Sequence, residues 1–214
     1  MKILLRESVK NQVYEIIRKK ILSQEYKLGE KINMLNLSKE LQVSNTPIRE
    51  ALSMLEKDGL ITIQQNSGPK VMEMTRECFS EIAEAAMTLI LGGYELCLTK
   101  NLKAELIKMM AEALEQQKRF ESSGTDYDFA EASICFDACF IKVSQNSKLD
   151  LFFERLFDLL FLIVLYDHQN VDVDRRANIG EHQLIFDAIK TGDDEMVRRL
   201  IKLHYARMPR ANRK

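Results

Sequence analysis

Ser44, Asn45, Thr46, Arg49 and Ser53 crowd five hydrogen-bonding side chains into ten residues. The apolar residues among them, Ile48, Ala51, Leu52 and Leu55, fall at i, i+3, i+4 and i+7. That spacing makes one buried helical face and leaves the polar residues on the other side. An Arg near the start of an exposed helix can pair bidentately with guanine O6/N7 or hold a phosphate, and an Asn suits adenine N6/N7. Ser and Thr hydroxyls, together with the free N–H groups of a first helical turn, suit phosphate oxygens. Gln65, Asn66 and Gly68 form a second polar group, suited to a minor groove or a sugar-phosphate backbone. The chemistry these residues could perform is the reading of double-stranded DNA.

Such residues need a rigid frame, and the flanking sequence supplies its signals. Val9, Val13, Ile16, Ile17 and Ile21 repeat at helical spacing, which predicts a first helix over 8–23. Leu28-Gly29-Glu30 reads as a turn, and a short helix follows over 34–41. Ser44 stands where an N-cap is wanted, and its hydroxyl is expected to accept a first-turn N–H. Pro47 lies in that first turn, where a missing N–H is tolerated. Gly59 closes the helix as a left-handed residue. Residues 61–64 and 70–73 are β-rich, and the turn-forming run 65–69 joins them into a hairpin. The unit is predicted to be a winged helix-turn-helix, with 44–58 as the helix that enters the major groove.

Beyond Thr75 only helical patterning is present, over 76–98, 101–121, 126–144, 147–168, 176–190 and 193–208. Short links make an antiparallel bundle of about six helices. The fold class is therefore mainly α. The expected domains are 1–74, winged helix-turn-helix, and 75–214, an all-helical domain for effector binding and dimerisation.

Charge is distributed in the sense this division requires. The net formal charge is −1, yet residues 1–75 carry 12 Lys and Arg against 9 Asp and Glu, a local +3. The remainder carries 19 against 23, a local −4. A basic N-terminal unit suits a nucleic-acid partner. The opening Met-Lys-Ile-Leu-Leu-Arg-Glu reaches charge too soon for a signal peptide. The longest apolar run, near 159–165, is too short to cross a bilayer. Cys78, Cys97, Cys135 and Cys139 lack Cys-x-x-Cys spacing and are expected to be reduced thiols of a cytoplasmic protein, which has no membrane partner.

Three runs carry a family resemblance: Leu28-Gly29-Glu30, then residues 37–52, reading LSKELQVSNTPIREAL, then Leu55-Glu56-Lys57-Asp58-Gly59-Leu60-Ile61. Over about 8–72 the chain resembles the DNA-binding domain of the bacterial GntR family of transcription regulators. The resemblance implies a homodimer on a palindromic operator. Asn45 stands where the family usually has Arg, and Leu35-Asn36 lack a frequent basic residue. Fewer cations predict fewer phosphate contacts and a shallower salt dependence.

The C-terminal part resembles the FCD class of GntR effector domains. The resemblance rests on Phe136-Asp137, Phe140, Ser144, Asn146 and Leu149, on Glu181-His182, Ile185, Ala188-Ile189 and Gly192-Asp193, and on His204. In that class an Asp and a His four residues apart join two later histidines around a divalent metal, and a small organic acid binds nearby. Residue by residue, this places Ser133 at the Asp position, Asp137 at the first His position, and His182 and His204 at the last two. Asp137, His182 and His204 would form a two-histidine, one-carboxylate set open to water or ligand, with Ser133 a poor fourth. Such a set accepts zinc, nickel, iron or manganese. His168 reads as a surface residue.

The family's first effector helix often carries an Arg for the ligand carboxylate. The matching run, Glu84 to Leu89, has no cation. A more apolar pocket and a less acidic effector are expected. The expected function is a ligand-responsive repressor controlled by a small metabolite. The alternative is a regulator that has lost metal and effector. An enzyme is not expected, because no general base or nucleophile accompanies Asp137, His182 and His204 in a recognisable arrangement.

Overall fold

The computed structural model describes residues 8–64, 67–170 and 175–206. The chain divides into two compact units, Met1–Met74 and Thr75–Lys214.

In the first unit, α1 (Val9–Leu22), α2 (Met34–Leu41) and α3 (Asn45–Lys57) precede a hairpin of β1 (Ile61–Gln64) and β2 (Gly68–Val71). Val13, Ile17 and Ile21 of α1 are buried together with Ile48, Ala51, Leu52 and Leu55 of α3, and α1 packs on α3. The Tyr14 hydroxyl donates to Asp58 Oδ2 over 2.8 Å, tying α1 to the end of α3. Asn33 caps α2 by accepting from the Leu35 and Asn36 amides. Gln42 then takes a left-handed conformation at φ 53°, and the Ser38 hydroxyl donates to the Val43 carbonyl over 2.6 Å. Those two features set the sharp turn between α2 and α3. Gly59, at φ 77°, ends α3 in the left-handed geometry expected of it.

Ser44 departs from expectation. It has the extended backbone of an N-cap but makes no side-chain capping bond. A capping hydroxyl serves the amide of the second or third helical residue. Here the third is Pro47, which has no N–H to offer. The wing also differs. β2 starts at Gly68, two residues before the expected strand, and pairs antiparallel with β1 from Ile61↔Val71 to Gln64↔Gly68. A further segment lies against β2: the Ile32 amide donates to the Pro69 carbonyl, and the Val71 amide donates to the Glu30 carbonyl. Its polar sequence gave no strand signal.

In the second unit, α4 (Arg76–Thr99), α5 (Lys103–Ser123), α6 (Asp126–Val143), α7 (Ser147–Asn170), α8 (Arg175–Thr191) and α9 (Asp194–Tyr205) form an antiparallel bundle. Among the described residues the unit contains no strand. α6 runs through the middle, burying Phe129, Phe136 and Phe140 and packing on α4, α5, α7 and α8. α4 is long and apolar enough to cross a membrane by length and composition, as the sequence reading did not anticipate. Part of its apolar surface, including Phe79, Ile90 and Tyr94, is buried in this bundle. The pair Gly92-Gly93 in α4 has a divided explanation. A Cβ on Gly93 would stand 2.7 Å from the Phe140 carbonyl oxygen, so the α4–α6 crossing requires glycine there. A Cβ on Gly92 would meet nothing within 4 Å.

Two polar anchors hold the last helices in place. Arg175, at the start of α8, donates to the carbonyls of Phe120 and Gly124 and pairs with Asp126 at 2.7 Å. Asp194, at the start of α9, accepts from Tyr94 at 2.7 Å and from Lys103 at 2.8 Å. Gly192 turns the chain between α8 and α9 at φ 82°.

Candidate functional site

α3 presents an outward polar face. Ser44, Asn45, Thr46, Arg49 and Ser53 are all exposed, opposite the buried Ile48, Ala51, Leu52 and Leu55. Because Ser44 makes no capping bond, its hydroxyl is not committed to the first-turn amides, and both remain for an outside acceptor such as a phosphate. Gly68 opens β2 at φ 76° with nothing near its absent Cβ. Gln65 and Asn66 lie outside the described residues.

The second cluster is buried. Asp137 stands on α6, His182 on α8 and His204 at the end of α9, with ligand-type atoms all within 4.8 Å of one another. His182 Nε2 lies 3.4 Å from His204 Nε2 and 3.8 Å from Asp137 Oδ1. His204 Nε2 lies 4.0 Å from Asp137 Oδ2. The outer nitrogens are held from behind. His204 Nδ1 is 2.8 Å from Glu181 Oε2. A carboxylate only accepts, so Nδ1 carries the proton and Nε2 presents a lone pair when the ring is neutral. His182 Nδ1 is 2.8 Å from Gln117 Oε1, and Phe136 stacks on the ring with centroids 4.2 Å apart. The Tyr205 hydroxyl donates to Asp137 Oδ2 over 2.7 Å.

The electrostatics follow from burial. Loss of water, aided by His204, holds His182 well below 6.5, so the ring is neutral near pH 7. Burial pushes the Asp137 carboxyl up, while His204 and the Tyr205 hydroxyl pull it back. With the proton on Nδ1 of both rings, two imidazole nitrogens and a carboxylate converge on one point with their lone pairs inward. Without a cation they oppose one another, and a bound divalent ion would favour the ionised carboxylate. Two nitrogens and an oxygen, each imidazole held from behind, are a donor set that fits such an ion and leaves positions open for water or ligand.

Ser133 is 2% exposed, and its hydroxyl donates to Asn178 Oδ1 over 3.0 Å. That bond commits its proton to Asn178, and its place as a weak fourth ligand rests on the oxygen lone pairs that remain. Sequence reasoning also missed Gln117, Asn178, Glu181 and Tyr205. The only signal available was that Glu181 and Tyr205 adjoin His182 and His204. The side chain of His168 lies outside the described residues. The four cysteines are free thiols, and burial raises Cys97 to about 11 and Cys139 to about 12, so neither is reactive at neutral pH.

Beside Tyr205 a cavity of about 300 Å3 is lined by Phe79, Ser80, Ala83, Glu84 and Met87. Glu84 is its one charged lining residue among those described.

Comparison with known proteins places this geometry. Residues 9–71 match the family described as bacterial regulatory proteins, gntR family, and residues 81–207 match the FCD domain. The chain is 27% identical to the HTH-type transcriptional regulator YdhC of Bacillus subtilis (strain 168), over 91% of this chain and 86% of that protein. It is 25% identical to the gluconate operon transcriptional repressor of the same organism, over 84% and 74%. The fold matches that of E. coli McbR/YncC with a TM-score of 0.72 at 22% identity, covering 93% and 94% of the two chains. With a winged helix-turn-helix ahead of an FCD bundle, the chain belongs to the GntR family, whose members bind DNA and regulate transcription rather than catalyse reactions.

Proposed function

We propose that this regulator is a homodimeric repressor that binds a palindromic operator through α3 and the wing, and that a small metabolite acting beside a divalent metal in the bundle controls it. One observation carries the proposal. Asp137, His182 and His204 aim their lone pairs at a single buried point, and both imidazoles are braced by hydrogen bonds from behind. A bound cation would compensate a polar convergence of this kind in a protein interior. The gluconate operon repressor among its relatives supports the sign of regulation. Ser44, Asn45, Thr46, Arg49 and Ser53 would make the DNA contacts, with Gln65, Asn66 and Gly68 of the wing.

The cavity beside Tyr205 supports an effector less acidic than a dicarboxylate. It offers Phe79, Ala83 and Met87 as apolar walls and a carboxylate, not a cation, as its charge. Tyr205 lines this cavity and also holds Asp137, so occupancy would reach the metal ligands directly. The protein would work in the cytoplasm, where the chromosome lies.

A second copy fits the α4–α7 face. On α4, Ala85, Leu89, Gly92 and Leu96 follow a 4-3-4 spacing and are exposed or half-exposed. On α7, which packs beside α4, Phe152, Leu156 and Leu159 continue the same pattern, with Phe152 52% exposed. Heptad stripes of this kind pair helices side by side. The open space over Gly92 would let a partner helix approach closely. Each helix has 24 residues, about 36 Å at 1.5 Å per residue. Two of them side by side offer roughly 700 Å2 per partner, near the size of a stable interface.

The deciding experiment is operator binding on DNA upstream of the chain's own gene, measured with zinc, nickel, manganese or chelator and with a panel of sugars, sugar acids and dicarboxylates. Operator binding that changes with metal and one metabolite supports the proposal. Binding indifferent to chelator and to every metabolite supports the alternative, a regulator without metal or effector.

A further inference from the structure

Three buried or half-buried side chains behind His182 form a chain of hydrogen bonds that ends on its ring. The Ser133 hydroxyl donates to Asn178 Oδ1 over 3.0 Å. Gln117 Nε2 donates to the same oxygen over 2.5 Å. Gln117 is fully buried, and turning its amide nitrogen to Asn178 turns its carbonyl oxygen to His182. That oxygen can only accept. In this arrangement His182 Nδ1, 2.8 Å away, is the protonated nitrogen.

We propose that the Ser133–Asn178–Gln117 relay is a tautomer lock: it fixes the His182 proton on Nδ1 and so keeps the Nε2 lone pair facing Asp137 and His204. The three residues lie on α6, α8 and α5 and are positioning residues, none touching the metal. The lock accounts for Ser133. Where the family resemblance places a ligand carboxylate, this chain has a small donor that saturates Asn178 and so orients the amide of Gln117. A carboxylate at 133 would accept rather than donate, and Asn178 would then turn its amide nitrogen towards it. That nitrogen would face the Gln117 carbonyl, Gln117 would turn its own nitrogen to His182, and the proton would move to Nε2.

The inference rests on the metal reading for its purpose but not for its test. Nitrogen-proton NMR correlations of the histidine rings report the tautomer in metal-free full-length protein near pH 7.5. The expected spectrum has His182 protonated at Nδ1. In Gln117→Met the ring should change to a mixture or to the Nε2 form, and in Gln117→Glu, whose carboxylate still accepts, the Nδ1 form should persist. Zinc titration of the same proteins should show affinity falling roughly ten- to a hundredfold in Gln117→Met and largely kept in Gln117→Glu. If Gln117→Met fails to fold, Ser133→Ala supplies the loss of one donor, with a smaller shift in the same direction. An Nε2-protonated His182 in the unaltered protein overturns the inference. So does an Nδ1 form that survives unchanged in Gln117→Met. Wild-type protein that binds no zinc, nickel or manganese, yet shows the Nδ1 form, overturns the metal reading and leaves the lock standing.

Discussion

The Tyr205 hydroxyl sits 2.7 Å from Asp137 Oδ2, donating to a carboxylate that no Lys or Arg pairs with among the described residues. Tyr205 ends α9 and Asp137 sits within α6, so one hydrogen bond joins the last described helix to the middle of the bundle. Burial pushes the tyrosine hydroxyl far above its ordinary range, so it remains a donor at any working pH. Tyr205→Phe strands a buried acceptor, which costs about 1–3 kcal/mol. A cation at Asp137 would offset that loss. Urea denaturation of Tyr205→Phe should therefore show the full deficit with chelator and a smaller one with saturating zinc. A deficit unchanged by zinc would mean that no cation reaches Asp137.

Metal binding should depend on pH with a definite sign. His182 is held well below 6.5 in the folded chain. Unfolded histidine takes up a proton as pH falls through about 6.5, so His182 contributes stability above that point and loses it as pH falls towards its depressed value. Asp137 is shifted up, and it contributes in the opposite sense: its neutral form is preferred at low pH, and ionising it without a cation destabilises the fold. Both groups must be unprotonated to bind a cation, so for metal affinity the two signs agree. The rise in melting temperature on adding zinc should be large at pH 7.5 and shrink steadily towards pH 5. A saturating excess of about a hundred times Kd is worth roughly 2.7 kcal/mol. A zinc-induced shift that is equal at both pH values would place the ion elsewhere.

The helices and the turn residues were legible because each is written locally. Ile48, Ala51, Leu52 and Leu55 announce their buried face by spacing, and Gly59 announces its left-handed turn by having no side chain. Ser44 was only half legible: its position gave the N-cap, but the missing Pro47 amide removed the bond that the position implies. Asp137, His182 and His204 were named by resemblance, and the bundle brings them within 4.8 Å of one another. The residues that brace them were not legible. Gln117, Asn178 and Glu181 meet partners 23 to 65 residues away in sequence. Glu181 adjoins His182 but bonds to His204, because successive residues on a helix point in different directions. The need for glycine at 93 was not legible either, because its reason is the Phe140 carbonyl on another helix.

Ser44 separates a folding role from a DNA role. An N-cap hydroxyl replaced by Ala ordinarily costs about 1 kcal/mol. Ser44 makes no such bond, so Ser44→Ala should leave the unfolding free energy nearly unchanged while weakening operator binding by one phosphate contact. Arg49, exposed on the same face, should cost about 1–3 kcal/mol of operator affinity as Arg49→Ala if it reads guanine, with specificity relaxed at one base pair. If it holds a phosphate, affinity falls across all sequences and the salt slope drops by about one. Fluorescence anisotropy on operator and scrambled duplexes at several salt concentrations distinguishes these. A Ser44→Ala protein that is destabilised but binds normally would return that hydroxyl to a structural role.

The α4–α7 stripe predicts where dimerisation can be broken without harming the protomer. Phe152 is 52% exposed and Leu159 half-exposed, so neither is needed to fill the core of a single chain. Phe152→Glu places a charge on the proposed seam, where loss of a hot-spot aromatic is worth about 2 kcal/mol, roughly thirtyfold in Kd. Sedimentation velocity should show a shift towards monomer, with an unchanged far-ultraviolet spectrum. Gly92 gives the complementary test. A Cβ there meets nothing within its own chain, and alanine is the better helix former by about 1 kcal/mol. Gly92→Ala should therefore stabilise an isolated protomer yet weaken the dimer by pushing the partner helix away. A protein in which Gly92→Ala is more stable and no less dimeric would move the interface to another face of the bundle.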